Sequence, residues 1–259
     1  MKKALMLIRH RWKNLALLLL ALASPGLIRA ETLHIAVASN FADTLREIVS
    51  AYEKETGRQV LVSSGSTGKL YAQIKNGAPF DYFMSADALR PELLAEEGDG
   101  VAASLHTYAI GRLAFLSRRD DQGKCPKAPS HQSGKVAIAN PAIAPYGLAA
   151  EQVLKGFSVW ESLQAKLVRG ENIAQAYQFF YSGNVSMAYV AKSQVQKRSL
   201  PESVCVAVVS AEQHQPIVQK AVVLKRADGK VAMDEFLHFF ETKVVRSILE
   251  RYGYLAGSS

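Results

Sequence analysis

From Leu33 onward the chain alternates short apolar runs with segments of helical period, and this alternation limits the fold more than any other property of the sequence. Residues 33–38 read as a strand. Phe41, Leu45, Ile48, Val49 and Tyr52 then recur at helical spacing until Gly57 ends the helix. Residues 60–63 form the next strand, a helix carrying Leu70, Tyr71 and Ile74 ends at Asn76-Gly77, and 82–85 is a third strand. A β-α-β-α-β order needs crossover connections, so a parallel sheet with helices on its faces is predicted.

A second block of the same kind follows the loop 118–134, which is rich in charge, Pro, Gly and Ser. Its strands fall at 136–139, 167–168 and 185–190, and its helices at 147–155 and 173–181, the latter closed by Ser182-Gly183. After a strand at 217–224 the tail returns to helix. Met233, Phe236, Leu237 and Phe240 form one apolar face, and Val244, Val245, Ile248, Leu249 and Tyr252 another. The expected fold class is α/β with two lobes, each a mostly parallel sheet flanked by helices. The first lobe is discontinuous, 31–115 joined by 213–259, and the second is 116–212. Two chain crossings then make a hinge, and each lobe has the usual size of a domain.

Residues 1–30 follow a different pattern. Lys2, Lys3, Arg9, Arg11 and Lys13 form a basic leader, 15–23 is an apolar run too short to span a bilayer, and Ile28-Arg29-Ala30 precedes Glu31 as a cleavage site. This reads as a secretory signal peptide cut near Ala30, without a cysteine after the cut to carry a lipid. Six of the 31 Lys and Arg residues and none of the 23 acids lie in it, so the remainder carries 25 basic against 23 acidic residues. The basic excess belongs to the leader, and nucleic acid is rejected as a partner. Cys125 and Cys205 lie in the exported part, where a disulfide is open to them; Cys125 sits in a polar loop with no core to bury a thiol.

Four turns follow a predicted strand and open a predicted helix: Ser39-Asn40, the hydroxyl-rich segment Val62 to Gly68, Pro145-Tyr146-Gly147, and Glu171-Asn172-Ile173. Helix N-termini leave N–H groups unpaired and carry roughly half a positive charge, so each turn is suited to an anion. In open α/β sheets ligands bind beyond the carboxyl ends of the strands, and two facing lobes would bring all four turns together. Asn40 and Asn172 read as N-caps, with Asp43 and Gln175 three residues on. Apart from Glu171, which opens the fourth turn, the four turns contain no acid, and apart from the flank at Lys69 they contain no cation.

Two catalytic motifs fail on their partners. Ser66-Thr67-Gly68-Lys69 matches the S-x-x-K of penicillin-recognising enzymes, but no S-D-N or K-T-G completes it. The same stretch is not a Walker A loop, because Leu70 stands where a Ser or Thr must hold magnesium. His34, His106, His131, His214 and His238 show no metal-ligand spacing. Asp81 and Asp87 read as helix caps or surface groups rather than an acid pair. No enzyme and no cofactor are expected.

At these residues the chain resembles the periplasmic molybdate-binding proteins, soluble receptors of ABC importers. The resemblance rests on Ala38-Ser39-Asn40-Phe41, on the block 63–87, on Ala139-Asn140-Pro141 through Gly147, and on Arg251-Tyr252-Gly253-Tyr254. It implies a type II periplasmic binding protein that takes molybdate or tungstate between its lobes and delivers it to a membrane permease, as a monomer. Carried over by position, it implies oxyanion contacts at Asn40 with Ser39, at Thr67 with Ser66, at the Tyr146 backbone and at Ile173; these would touch molybdate oxygens, not the metal. Thr67 stands where the family usually has Ser, and Ala191 stands where some members supply a Tyr donor. Another tetrahedral oxyanion such as sulfate or thiosulfate is the alternative ligand, a serine acyl-transfer enzyme using Ser66 and Lys69 the remote one.

Overall fold

The computed structural model describes residues 31–120, 122–196 and 198–256; the expected signal peptide lies outside them. Six strands build one sheet in the order β11-β4-β10-β3-β1-β2: β1 (Leu33–Ala38), β2 (Val60–Gly65), β3 (Tyr82–Met84), β4 (His106–Gly111), β10 (Ile217–Val223) and β11 (Leu255–Ala256). Five build the other in the order β7-β6-β8-β5-β9: β5 (Leu113–Arg118), β6 (Val136–Ala139), β7 (Leu167–Gly170), β8 (Met187–Ala191) and β9 (Val204–Val208).

Both sheets are mixed rather than mostly parallel. The strands of the β-α-β units pair in parallel, β1 with β2 and β3, β6 with β7 and β8. The strands next to the crossings run antiparallel: β10 between β3 and β4, and β5 between β8 and β9. The chain changes sheet between Gly111 and Leu113 and returns between Val208 and Ile217. The expected division at 115/116 therefore cuts β5, and the passage falls at Arg112.

Strand parity explains the layers. Leu33, Ile35 and Val37 on one face of β1 pack with Phe41, Leu45, Ile48 and Tyr52 of the following helix segment and with Phe236 and Ile248 from the tail. Ala36 on the other face joins Leu70, Ile74, Phe83 and Leu94. Apart from the strand residues and Phe83, which is on β3, these residues lie on helices α1 (Ala42–Thr56, with Phe41 just before it), α2 (Thr67–Lys75) and α3 (Leu89–Glu96), and on α8 (Val231–Phe240) and α9 (Lys243–Arg251). The second sheet carries α4 (Pro145–Gly156), α5 (Trp160–Leu163), α6 (Ile173–Tyr181) and α7 (Lys192–Gln196), with Val153, Leu154, Ala176 and Phe180 buried against it.

Cys125 and Cys205 are joined by a disulfide, which ties the 119–135 loop to edge strand β9. Asp81 is neither a cap nor a surface group. Its carboxylate is 1% exposed and takes the His34 N–H at 2.8 Å, the Lys230 ammonium at 2.8 Å and Arg226 at 3.2 Å. It knits the amino ends of β1 and β3 to the start of α8, away from the carboxyl ends where the turns lie. Asp87 does act near a helix start, accepting the Arg90 N–H at 3.1 Å.

Candidate functional site

Four helix starts meet at the carboxyl ends of β1, β2, β6 and β7. The strand expected at 60–63 runs on to Gly65: Ser63, Ser64 and Gly65 pair with Ala36, Val37 and Ala38, so the hydroxyl-rich turn shrinks to Ser66 and the first residue of α2, Thr67. Pro145 occupies the first position of α4 with its fixed φ, which makes Tyr146 the first residue of that helix able to offer an N–H. Gly147 follows because a Cβ there would lie 2.3 Å from the Ala139 carbonyl oxygen, so glycine alone lets α4 start on the end of β6. Ile173 opens α6, where the Asn172 side chain accepts the N–H groups of Ala174 and Gln175 at 3.0 and 3.1 Å. Gln175 reaches back as a capping box predicts, but to the Glu171 N–H, at 2.6 Å.

Ser39, Asn40, Ser66, Thr67, Tyr146 and Ile173 all line one cavity between the lobes, together with Ala38, Gly65, Ala86, Ala144, Pro145 and Asn172. It offers about 10 Å3 of room to the centre of a water-sized body, space for one compact group and not for a sugar or peptide. Among the described residues, the N–H groups of Asn40, Thr67, Tyr146 and Ile173 have no protein acceptor. Three hydroxyls join them. The Thr67 hydroxyl oxygen accepts the Ala86 N–H at 3.1 Å and that of Ser39 accepts the Ala174 N–H at 3.4 Å, so each keeps its own proton for another partner. The Ser66 hydroxyl is buried without a partner. The lining includes no charged side chain.

The side chain of Asn40 is not a cap. Phe41 takes the N-cap position of α1, and the Asn40 amide instead donates to Gln219 Oε1 at 2.6 Å and to the Tyr254 phenol at 3.2 Å. These partners are 179 and 214 positions away, so no local pattern reveals them. The Asn40 group left without a protein acceptor among the described residues is its backbone N–H. Behind it, burial raises the phenols of Tyr108, Tyr146 and Tyr254 above the ordinary tyrosine range, Tyr254 to about 12, which keeps them neutral at physiological pH. Gln219 was missed in the sequence, although a glutamine inside the apolar strand 217–223 is a signal of a buried polar contact.

The lobes are bridged around the cavity. The Gly68 N–H donates to the Ile143 carbonyl at 2.9 Å, Lys69 pairs with Glu171 at 2.7 Å, and Arg198 pairs with Asp43 at 3.2 Å. Ala191, buried at the end of β8, puts no hydroxyl near the cavity; its N–H goes to Gln194 Oε1.

Residues 33–255 match the model of a family described as bacterial extracellular solute-binding protein. The chain belongs to this family. Among solute-binding relatives, a molybdate-binding protein ModA of Azotobacter vinelandii is 39% identical over 87% of this chain and 90% of its own length. Another ModA, of Rhodobacter capsulatus, is 40% identical over 85% and 86%. The solved structure of the Azotobacter vinelandii periplasmic molybdate-binding protein superposes with a TM-score of 0.79 at 35% identity, covering 87% of this chain and all of that one. The two-lobe α/β architecture is that of these binding proteins.

Proposed function

We propose that this protein captures molybdate between its two lobes and hands it to the membrane permease of an ABC importer, as the names of its relatives indicate. The observation that carries the reading is a small cavity lined by neutral N–H and O–H donors without one charged side chain. A buried dianion is costly unless densely hydrogen-bonded, and four helix starts with three hydroxyls supply that density. Ser39, Asn40, Ser66, Thr67, Tyr146 and Ile173 are the proposed contacts.

Donor-rich lining also selects. Hydrogen phosphate carries a proton that is best taken by a carboxylate, and the cavity lining holds none. Molybdate and tungstate carry no proton at neutral pH, and both are proposed as ligands. Sulfate shares that property and differs only in size; the names of the relatives favour molybdate. Against an acyl-transfer enzyme stands Lys69, which is held by Glu171 and gives Ser66 no base. Periplasmic location and action as a monomer belong to the same proposal.

Titration calorimetry with molybdate, tungstate, sulfate and phosphate tests it. Tight binding of the first two and no measurable binding of phosphate is the expected result. Tight sulfate binding with none for molybdate overturns it.

A further inference from the structure

Between the lobes, behind the anion cavity, three polar groups close a ring. The Asn40 side-chain amide donates to the Tyr254 phenol at 3.2 Å, the Tyr254 O–H donates to the Ser193 hydroxyl at 2.9 Å, and the Ser193 O–H donates to the Asn40 carbonyl oxygen at 3.0 Å. The Tyr254 oxygen also lies 3.0 Å from that carbonyl. One proton on each hydroxyl suffices for the whole circuit, and each hydroxyl both gives and accepts, an arrangement in which the bonds strengthen one another. All three residues are buried. Asn40 and Tyr254 belong to the lobe of the six-stranded sheet, whereas Ser193 is on α7, which follows β8 of the other sheet.

The Asn40 amide has two protons and both are spent, one on Tyr254 and one on Gln219. Asn40 can therefore meet an anion only through its backbone N–H, and the orientation of that peptide depends on what holds the rest of the residue. Two of the holders stay within its own lobe. Ser193 is the one that arrives from across the cleft; without it the Tyr254 O–H can turn to the Asn40 carbonyl 3.0 Å away, but the ring is open and no group of the other lobe then holds that peptide.

We infer that Ser193 is a positioning residue for anion capture: it touches no anion, but by completing the ring when the lobes close it holds the Asn40 turn with its N–H facing the cavity. This rests on the oxyanion reading of the cavity. When the lobes part, the Ser193 hydroxyl would meet water and Tyr254 would remain beside the Asn40 carbonyl, so the cross-lobe bond favours closure and contributes little to the unliganded fold.

The test compares wild-type protein, S193A, Y254F and the double variant by molybdate calorimetry and by melting without ligand. The expected result for S193A is molybdate affinity weakened about tenfold, the worth of one buried hydrogen bond, with the unliganded melting temperature unchanged. Because Y254F opens the same ring, the double variant binds about as weakly as either single one, a non-additivity that independent damage would not give. Wild-type affinity in S193A overturns the inference. So does a weaker affinity matched by an equal loss of unliganded stability, or an additive double variant, since either makes Ser193 ordinary packing. If the wild-type protein does not bind molybdate, the functional reading fails first and the ligand-coupled role of Ser193 falls with it; if it binds and S193A binds equally well, only the ring is refuted.

Discussion

Among single residues, Thr67 carries the most testable load. It is 1% exposed, opens α2, lends its hydroxyl oxygen to the Ala86 N–H, and has its proton left for the cavity. Thr67→Val keeps the shape and removes the donor. Molybdate affinity is expected to fall by ~1.5 to 3 kcal/mol, the usual size of a hydrogen bond to a charged group. Calorimetry checks this, and an unchanged dissociation constant would take Thr67 out of the site. The same residue shows what composition can reveal: Ser66-Thr67-Gly68 stands out because it is denser in hydroxyls than a cap requires, and both hydroxyls do line the cavity. Asn40 shows the opposite. Its type and place read as a cap, but a side chain whose partners come from β10 and from the end of the chain has a role that only the folded state defines.

At the level of elements, strand ends and helix starts were legible wherever the cause is local. Helix α6 begins and ends as the pattern predicts, because Asn172 caps it and Gly183 accepts the left-handed turn at its end, φ 82°. Gly57 and Gly77 do the same for α1 and α2. The failures have a non-local cause. Residues 64 and 65 look like a turn by composition, but the ladder with β1 extends strand pairing through Gly65. The crossing strands β4 and β5, which set the hinge region, carry no turn between them beyond Arg112 and left no boundary in the sequence. Asn172 offers the test at this scale. Asn172→Ala strips the acceptor from two N–H groups and frees the first turn of α6, at a cost of about 1 kcal/mol to the fold. Since Ile173, the first residue of that turn, is a proposed anion contact, molybdate affinity is expected to drop as well, by roughly fivefold on the scale of one weakened hydrogen bond. A melting curve and a titration read the two effects separately; a loss of stability with full affinity would remove α6 from the anion's shell.

On the proposed function, the whole molecule handles a divalent anion with little help from net charge. Outside residues 1–30 basic and acidic residues nearly balance, 25 against 23, and the cavity lining holds no cation. A receptor that captured its anion with Lys or Arg would lose affinity steeply as salt rises, whereas N–H dipoles buried in a closed cleft are screened far less. Among the described residues, salt can reach two ion pairs that bridge the lobes, Lys69 with Glu171 and Arg198 with Asp43, whose side chains are about half exposed. Such pairs contribute ~0.2 to 1 kcal/mol each, so together they bias closure without deciding it. Raising sodium chloride from about 0.05 to 0.5 M, which shortens the screening length severalfold, is thus expected to weaken molybdate binding by less than about tenfold. In Lys69→Gln combined with Arg198→Gln the affinity starts lower by a similar factor and the salt dependence flattens further, because the bridges that salt would screen are gone. Titrations of both proteins across the salt series check this. A steep salt dependence that survives the double substitution would place a cation against the anion and overturn the neutral-donor account of the cavity.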